Sequence, residues 1–438
     1  MNLEELKKKR VSAISLGCDK NRVDLEKMLF NLKRFGFNVT PDVNNCEIVI
    51  VNTCAFIQSA TSEAINNILS MLELKKHSVE KVVVTGCLVS RYSEQIKGAI
   101  PQVDAFVDVK DNEKIVNVIC DLYDVGCKYE YKNGRLLTNQ PHYAFLKIAD
   151  GCSNGCTYCT IPRIRGRYKS VPMDELIKEA KELVGGGVKE LILVAQDTTR
   201  YGIDLYGEYK IVSLIKEISK IKGLHWIRIH YCYPEMVTKE LLDEIKNNPK
   251  VCKYIDVPFQ HIDEKILKNM NRHSTEQDIR NLVSNLKNYY PEIAIRSTFI
   301  VGFPGETKAQ FKKLLTFLEE TRLNNVGFFP YFREEKTKAY FMRKQIWKLV
   351  KNRRLKQAQE LQEKIMNANN INRIGEKVEI IVDFFDEDEQ YYVCRTAQDS
   401  PDVDFFVILD PNANVKIGEF YSVKLKEYLF GLFKGELL

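Results

Sequence analysis

The sequence predicts an α/β protein in three parts: an N-terminal parallel α/β domain, a central partial (βα)6 barrel resembling an opened TIM barrel, and a small C-terminal antiparallel β-barrel. Two observations support this fold class. Short β-branched apolar runs alternate with amphipathic segments up to residue 331, and short strands with polar turns follow residue 375. A chain of 438 residues exceeds one ordinary core. We therefore expect domains at residues 8–128, 138–370 and 371–438.

In the first part, three predicted strands run directly into cysteines. Residues 11–16, 47–52 and 81–85 precede Cys18, Cys54 and Cys87, and amphipathic segments at 23–35 and 60–75 separate the strands. Ligands of an open parallel sheet gather beyond the carboxyl ends of its strands. The three thiols are therefore expected to converge, although 36 and 33 residues separate them. The alternative for each cysteine is a small buried apolar residue.

The central part repeats a strand followed by a helix. Its predicted strands are residues 144–149, 190–195, 225–230, 254–258, 294–301 and 326–331. Its predicted helices include residues 174–184, 238–247, 275–288 and 308–320. The active site of such a barrel lies at the C-terminal mouth of its strands.

The last part differs in charge as well as in pattern. Residues 338–370 form one basic predicted helical region, and residues 377–382, 391–393, 405–409 and 421–425 are predicted strands of an oligonucleotide-binding type of barrel. Residues 375–438 carry six basic and fourteen acidic residues. The acidic segment formed by Asp383, Asp386, Glu387, Asp388 and Glu389 is expected in an exposed loop or bulge.

The composition indicates the compartment. No stretch approaches the roughly 18 apolar residues of a membrane helix, and the start of the chain lacks a secretory apolar core. We therefore expect a cytoplasmic protein that does not enter a membrane. Disulfides are not expected in a reducing compartment, so metal binding or catalysis better explains clustered members of the twelve cysteines. The other cysteines are expected to pack in the core.

One cysteine cluster has a spacing typical of an iron–sulfur ligand loop. Cys152, Cys156 and Cys159 directly follow the first predicted strand of the central barrel. Three thiolates leave one iron of a 4Fe–4S cluster without a protein ligand, so that a substrate or cofactor can bind it. A zinc site is the alternative, but the loop holds no fourth cysteine or histidine.

With the aromatic Tyr158 inside it, this loop resembles that of the radical S-adenosylmethionine (SAM) superfamily. The resemblance implies that the open iron binds the amino and carboxylate groups of SAM, and that an electron from the cluster cleaves SAM to a 5′-deoxyadenosyl radical. It also implies that Tyr158, Asp197, Gln260 and Arg296 contact the cofactor.

Two further segments resemble the methylthiotransferase branch of that superfamily. They are residues 161–170 and the surroundings of Cys18, Cys54 and Cys87. In that branch the N-terminal cysteines hold a second 4Fe–4S cluster, which carries or donates sulfur. Both cysteine sets would then be catalytic as well as metal-binding, and the terminal part would be a substrate-binding TRAM domain.

Residues 15–21 and 193–207 resemble the RimO-type ribosomal-protein branch. This implies β-methylthiolation of an aspartate in small-subunit ribosomal protein twelve, with sulfur inserted at an unactivated C–H bond and the methyl group taken from a second SAM. The alternatives are methylthiolation of isopentenyl-adenosine in transfer RNA (MiaB-type) and a non-catalytic iron–sulfur RNA-binding protein. The acidic terminal part favours a basic protein partner, because it would repel a phosphate backbone.

The resemblance also implies the partners. They are a basic ribosomal protein, free or on the ribosome, a low-potential flavodoxin- or ferredoxin-like electron donor, and a sulfur source. The chain is expected to act as a monomer. It departs from the family pattern at Ser400 and Phe405, where alanine and glycine are usual, and residues 428–432 lack the usual Tyr-Asp pair.

Overall fold

The computed structural model describes residues 1–404, 406–429 and 431–438. It confirms the predicted α/β fold class, with a parallel sheet, a partial barrel and a small closed barrel in chain order. Phe405, with which the third predicted strand of the terminal barrel begins, and Phe430, in the segment 428–432 that lacks the usual Tyr-Asp pair, lie outside the described residues.

The N-terminal sheet is parallel, with strand order β2-β1-β3-β4-β5. Its elements are α1 (Leu3–Lys7), β1 (Arg10–Ser15), α2 (Asp19–Phe35), β2 (Asn38–Val39), β3 (Ile48–Thr53), α3 (Gln58–Glu73), β4 (Lys81–Gly86), α4 (Cys87–Ala99), β5 (Ala105–Val107) and α5 (Ile115–Asp121). Every residue of the central strand β3 is buried, because helices cover both faces of the sheet.

Helix α2 begins four residues before the predicted boundary. Cys18 is its N-cap residue, and the polar first turn of Asp19, Lys20 and Asn21 lacks the apolar periodicity on which the prediction depended. The earlier start places the first cysteine at a helix N-terminus and brings Lys20 into the helix.

The central strands form two parallel sheets, β6-β9-β10 and β11-β12-β13, which follow one another around a partial barrel. The strands are β6 (Tyr143–Lys147), β7 (Ala149–Asp150), β8 (Lys169–Ser170), β9 (Glu190–Val194), β10 (Trp226–Ile229), β11 (Tyr254–Asp256), β12 (Ala294–Val301) and β13 (Asn325–Pro330). The helices are α6 (Ile161–Ile164), α7 (Met173–Gly185), α8 (Ile203–Tyr206), α9 (Ile211–Ser219), α10 (Lys239–Asn247), α11 (Glu264–Asn269), α12 (Glu276–Tyr289) and α13 (Lys308–Thr321). Capping boxes at Thr275 and Thr307 fix the starts of α12 and α13.

The basic helical region is shorter than predicted. Helix α14 (Lys348–Ile371) begins ten residues after the expected start, behind a 3-10 turn at Ala339–Phe341. The preceding segment instead supports the cysteine loop, since the Ala339 amide donates to the Thr157 carbonyl at 2.8 Å. Such a tertiary bond competes with helix formation. No helix in the described ranges is long and apolar enough to cross a membrane.

The terminal strands close into a barrel of order β14-β15-β16-β18-β17. They are β14 (Lys377–Asp386), β15 (Tyr391–Thr396), β16 (Val407–Leu409), β17 (Phe420–Leu429) and β18 (Leu432–Leu437). The pairing is antiparallel except between β16 and β18.

The expected exposure of Asp383 is wrong. This residue lies at a bulge in β14, but its side chain is buried and bonded to His142 at 2.8 Å and to Arg395 at 3.0 Å. Two cationic or hydrogen-bonding partners from opposite sides of the domain boundary draw it inward. The turn between β14 and β15 keeps Glu387, Asp388 and Glu389 exposed, as expected.

The expectation that no cysteine forms a disulfide is also contradicted. Cys120 of α5 is joined to Cys127 in the segment that follows it. A short chain reversal after α5 brings the two side chains together, and neither belongs to the two predicted ligand sets. Cys46, Cys232, Cys252 and Cys394 are buried, as expected for core residues.

Candidate functional site

The loop that carries Cys152, Cys156 and Cys159 is held firmly at the barrel mouth. Gly151 before it has φ +74°, and a Cβ there would lie 2.3 Å from the Arg167 carbonyl oxygen, so only glycine fits. The Thr157 amide donates to the Met270 carbonyl at 3.0 Å. Cys152 and Cys156 are buried, and Cys159 is half-buried.

Cationic and polar groups contact these thiols. Arg272 Nη1 lies 3.9 Å from Cys156 Sγ, and Tyr233 Oη lies 3.7 Å from the same sulfur. The Arg272 guanidinium stacks over the Tyr233 ring at 4.2 Å. Burial raises the pKa of the Cys159 thiol, whereas the charge of Arg272 lowers it. The loop thus offers buried sulfur ligands beside a fixed positive charge, which stabilises thiolates.

Asp197 follows β9 and reaches the same loop. Its Oδ2 accepts a hydrogen bond from Asn154, which lies between the first two loop cysteines, at 2.9 Å. Its Oδ1 accepts from Thr199 at 2.7 Å. Burial raises the pKa of the Asp197 carboxyl, and the two donors partly oppose this. The structure therefore brings this predicted cofactor contact to the cysteines.

Tyr158 and Gln260 line one cavity of about 210 Å³. Gln260 has φ +70°, and the isolated bridge that it forms with Phe299 fixes it beyond the end of β11. Phe56 and Ile57, which follow Cys54 in the N-terminal domain, complete the wall. The cavity thus lies between the two domains that carry the cysteine sets.

Arg296 is placed differently from the other predicted contacts. It lies early in β12, where its guanidinium Nη1 is 2.6 Å from Asp404 of the terminal domain and its Nε is 3.8 Å from Asp256. It is not among the residues that line the cavity with Tyr158 and Gln260. Its contact with the cofactor carboxylate stays a prediction, because a protein carboxylate takes up its charge in this structure.

The N-terminal cysteines converge as the parallel sheet requires. Gly17 has φ +107°, and a Cβ there would lie 2.7 Å from Cys54 Cβ, so the chain beside Cys18 passes directly over Cys54. Cys87 Sγ lies 3.5 Å from Asn21 Oδ1, and Asn21 Nδ2 donates to the Thr53 carbonyl at 3.0 Å. Three strand ends therefore deliver three thiols to one edge.

Arg165 faces this edge from the central domain. Burial raises the pKa of the Cys87 thiol to about 12, while the positive charge of Arg165 opposes the shift. Burial likewise raises the pKa of Cys54, with a smaller contribution from neighbouring Cys18. The raised pKa values favour the protonated thiols of Cys54 and Cys87, and a bound cluster would release these protons.

Arg165 also joins the two cysteine sets. It follows helix α6, immediately beyond the loop, and its Nη1 lies 2.8 Å from Asp150, two residues before Cys152. Its Nη2 lies 2.9 Å from Asp24 and contacts Asn21, both on helix α2 of the N-terminal domain. One buried guanidinium thus ties the loop of Cys152, Cys156 and Cys159 to the sheet edge of Cys18, Cys54 and Cys87.

Both donor sets suit 4Fe–4S clusters. Each offers three thiols, no carboxylate among the ligands, and an arginine that compensates anionic charge. In the described part of the chain, no three His, Cys, Asp or Glu side chains converge closely enough to hold a single metal ion.

Sequence reasoning missed several groups of this site. Arg165 lies in a segment that was singled out, but nothing assigned it a bridging position. Asn21 likewise lies in the segment 15–21 without an assigned role. Tyr233 and Arg272 carried no signal, since their roles follow from contacts between segments distant in the chain.

Comparisons with known proteins agree with this arrangement. Residues 10–108 match the Uncharacterized protein family UPF0004, residues 146–318 the Radical SAM superfamily and residues 374–430 the TRAM domain. A protein of Thermoanaerobacter sp. (strain X514), named ribosomal protein uS12 methylthiotransferase RimO, is 45% identical over 94% of this chain and 96% of its own. The protein of that name from Clostridium tetani is 41% identical over 96% of both chains.

The chain belongs to the RimO methylthiotransferase family. It is a radical SAM transferase, and its cofactors are two 4Fe–4S clusters and SAM. Among solved structures, the radical SAM methyltransferase TsrM of Kitasatospora setae is similar in fold, with TM-score 0.56 and 14% identity over 76% of this chain and 77% of that one. The cobalamin-dependent SAM radical enzyme OxsB has TM-score 0.52 and 14% identity, covering 82% and 57%.

Proposed function

We propose that this chain methylthiolates the β-carbon of an aspartate in ribosomal protein uS12. The observation that carries the proposal is the pair of cysteine sets that face each other across Arg165. Methylthiolation needs a radical source and a sulfur source beside one substrate carbon. In support, Arg165 pairs with Asp150 near one cysteine set and with Asp24 near the other. The names of the relatives support uS12 as the substrate.

We assign Cys152, Cys156 and Cys159 to the cluster that binds SAM, and Cys18, Cys54 and Cys87 to the sulfur-carrying cluster. When bound, these groups supply the 5′-deoxyadenosyl radical and the sulfur. The protein residues position and shield them. Arg272 and Arg165 would compensate the negative charge of thiolates. Asp197, which bonds to Asn154 of the loop, and Tyr158 and Gln260, which line one cavity, would contact SAM.

The three domains divide this work at residues 8–128, 138–370 and 371–438. The terminal barrel is the proposed docking module for the protein substrate, because its acidic turn residues are exposed and ribosomal proteins are strongly basic. Transfer RNA is the less favoured substrate, since an acidic barrel repels a phosphate backbone.

The remaining partners follow from the chemistry. The enzyme would take electrons from a low-potential flavodoxin- or ferredoxin-like donor and sulfur from a separate source. It would act as a monomer in the cytoplasm, on uS12 either free or in the ribosome.

The proposal is tested with anaerobically reconstituted enzyme, SAM, a chemical reductant and sulfide. Purified uS12 is the expected substrate, and intact-mass analysis should show one methylthio-sized increase located on an aspartate. Isopentenylated transfer RNA is the parallel arm. Modification of the RNA with none on uS12 would reverse the assignment, and stoichiometric zinc in place of iron would end it.

A further inference from the structure

Lys20 is a buried lysine whose position calls for a ligand. It lies in the first turn of α2, two residues after Cys18, and only 6% of its surface is exposed. Its Nζ lies 3.5 Å from the centre of the Tyr231 ring. Within the described residues it forms neither a hydrogen bond nor an ion pair. The Nζ atom itself is not completely enclosed.

Four other basic side chains near the two cysteine sets have partners. Arg165 and Lys147 share Asp24 and Asp150. Arg272 donates to the Pro258 carbonyl at 3.0 Å, and Arg200 donates to Asn154 at 2.7 Å. Burying an ammonium is costly unless a partner compensates for lost hydration. A cation–π contact with Tyr231 and the charge of neighbouring Asp19 supply part of that compensation, but the three N–H donors bond to no described residue.

Tyr231 places this ammonium between the two sites. Its φ of +60° is strained for a bulky residue, and its hydroxyl donates to Asp19 at 3.2 Å, next to the first N-terminal cysteine. Two residues later, the Tyr233 hydroxyl lies beside Cys156. This short segment after β10 therefore contacts the surroundings of both cysteine sets, and Lys20 lies against its Tyr231 ring.

We propose that Lys20 binds the side-chain carboxylate of the target aspartate. The inference rests on the proposed function, since an adenosine substrate offers no carboxylate. The carbon to be thiolated is bonded directly to that carboxyl group, so fixing the carboxylate fixes the reacting carbon between the two clusters. Lys20 is thereby a specificity-determining residue, which favours aspartate over an uncharged side chain of the same shape.

The test measures substrate preference rather than activity alone. Wild-type enzyme, Lys20→Met, Lys20→Arg and the control Lys33→Met are compared on uS12 and on uS12 with the target aspartate replaced by asparagine. Lys33 is an exposed lysine of the same helix. We expect Lys20→Met to lose about 10- to 100-fold in kcat/KM on the aspartate substrate, as for other charge-assisted hydrogen bonds, and to lose its preference over asparagine. Lys20→Arg should keep part of the preference, and Lys33→Met all of it.

Other outcomes overturn the inference. If Lys20→Met keeps the wild-type preference for aspartate, Lys20 does not bind the target carboxylate. If its KM for SAM also rises, Lys20 is assigned to the carboxylate of the cofactor instead. Loss of bound iron together with retained preference would assign Lys20 to the cluster. Lys20→Gln is the second neutral variant if Lys20→Met misfolds. Wild-type enzyme inactive on uS12 would overturn the proposed function itself, and with it this inference.

Discussion

The two cysteine sets reach similar surroundings by different routes. Cys152, Cys156 and Cys159 lie within eight residues on one loop, whereas Cys18, Cys54 and Cys87 come from three strand ends of a parallel sheet. The first set depends on a local turn, in which Gly151 permits the close approach of two backbones. The second set depends on the register of β1, β3 and β4.

This difference in construction bears on whether the proposed SAM cleavage and sulfur transfer can be separated by mutation. A locally built loop keeps its ligands together whenever the barrel is folded. A set assembled from three strand ends loses its geometry when the register of the sheet changes. The two sets are mechanically joined through Arg165, so their chemistry is coupled although their construction is not.

The largest effect is expected from the local loop. The triple change of Cys152, Cys156 and Cys159 to alanine should abolish formation of 5′-deoxyadenosine, because SAM loses the iron that binds it. Bound iron should fall from about eight to about four per chain, given four per cluster. Chromatography of the SAM cleavage products and an iron assay give the two readings. If the triple variant still cleaves SAM at the wild-type rate, this loop does not hold the cluster that cleaves SAM.

The topological set should behave differently. Changing Cys18, Cys54 and Cys87 to alanine should abolish thiolation of uS12 and also leave about four irons. Cleavage of SAM without thiolation should remain measurable, since the radical loop lies in the other domain. If cleavage disappears equally in well-folded protein, the division of labour between the two regions is wrong.

The sequence predicted the cysteines of both sets but not the side chains that surround them. The ligand loop was predicted from its spacing, its aromatic Tyr158 and its position after a strand, and the convergence of the N-terminal set followed from strands that run into cysteines. Arg165, Arg272 and Tyr233 were not assignable, because their partners lie on elements whose relative placement no periodicity encodes. The buried Asp383 shows the converse error, in which an acidic run hid one residue that pairs across a domain boundary.

Arg165→Met removes the ion pairs that join the surroundings of the two cysteine sets. It leaves Asp24 and Asp150 with less compensation, and breaking a buried pair costs about 3–5 kcal/mol of stability. We expect thiolation per cleaved SAM to fall about tenfold, a loss of about 1.4 kcal/mol in coupling. The matched control is Arg228→Met, which removes a fully buried arginine paired with Glu190. It should lower the melting temperature comparably and leave the thiolation ratio unchanged. An equal ratio in both variants would deny Arg165 a coupling role.

The smallest effect concerns the acidic turn of the terminal barrel. Glu387, Asp388 and Glu389 are exposed, whereas Asp386 accepts hydrogen bonds from the Asp388 and Glu389 amides at 3.1 and 3.0 Å and so stabilises the turn itself. Only the three exposed residues should therefore be neutralised, as Glu387→Gln, Asp388→Asn and Glu389→Gln.

If these charges attract a basic protein, the triple variant should raise KM for uS12 several-fold at low salt. It should do little at high salt, because screening confines exposed charges to about 10 Å at 0.1 M. Glu73→Gln, Glu94→Gln and Asp111→Asn make the same change in net charge on the exposed surface of the N-terminal domain. That control separates local attraction from an overall charge effect. Equal KM values in the two triple variants would leave the turn with a role in solubility alone. If the variant of the acidic turn instead gains thiolation of transfer RNA, the substrate assignment moves toward RNA.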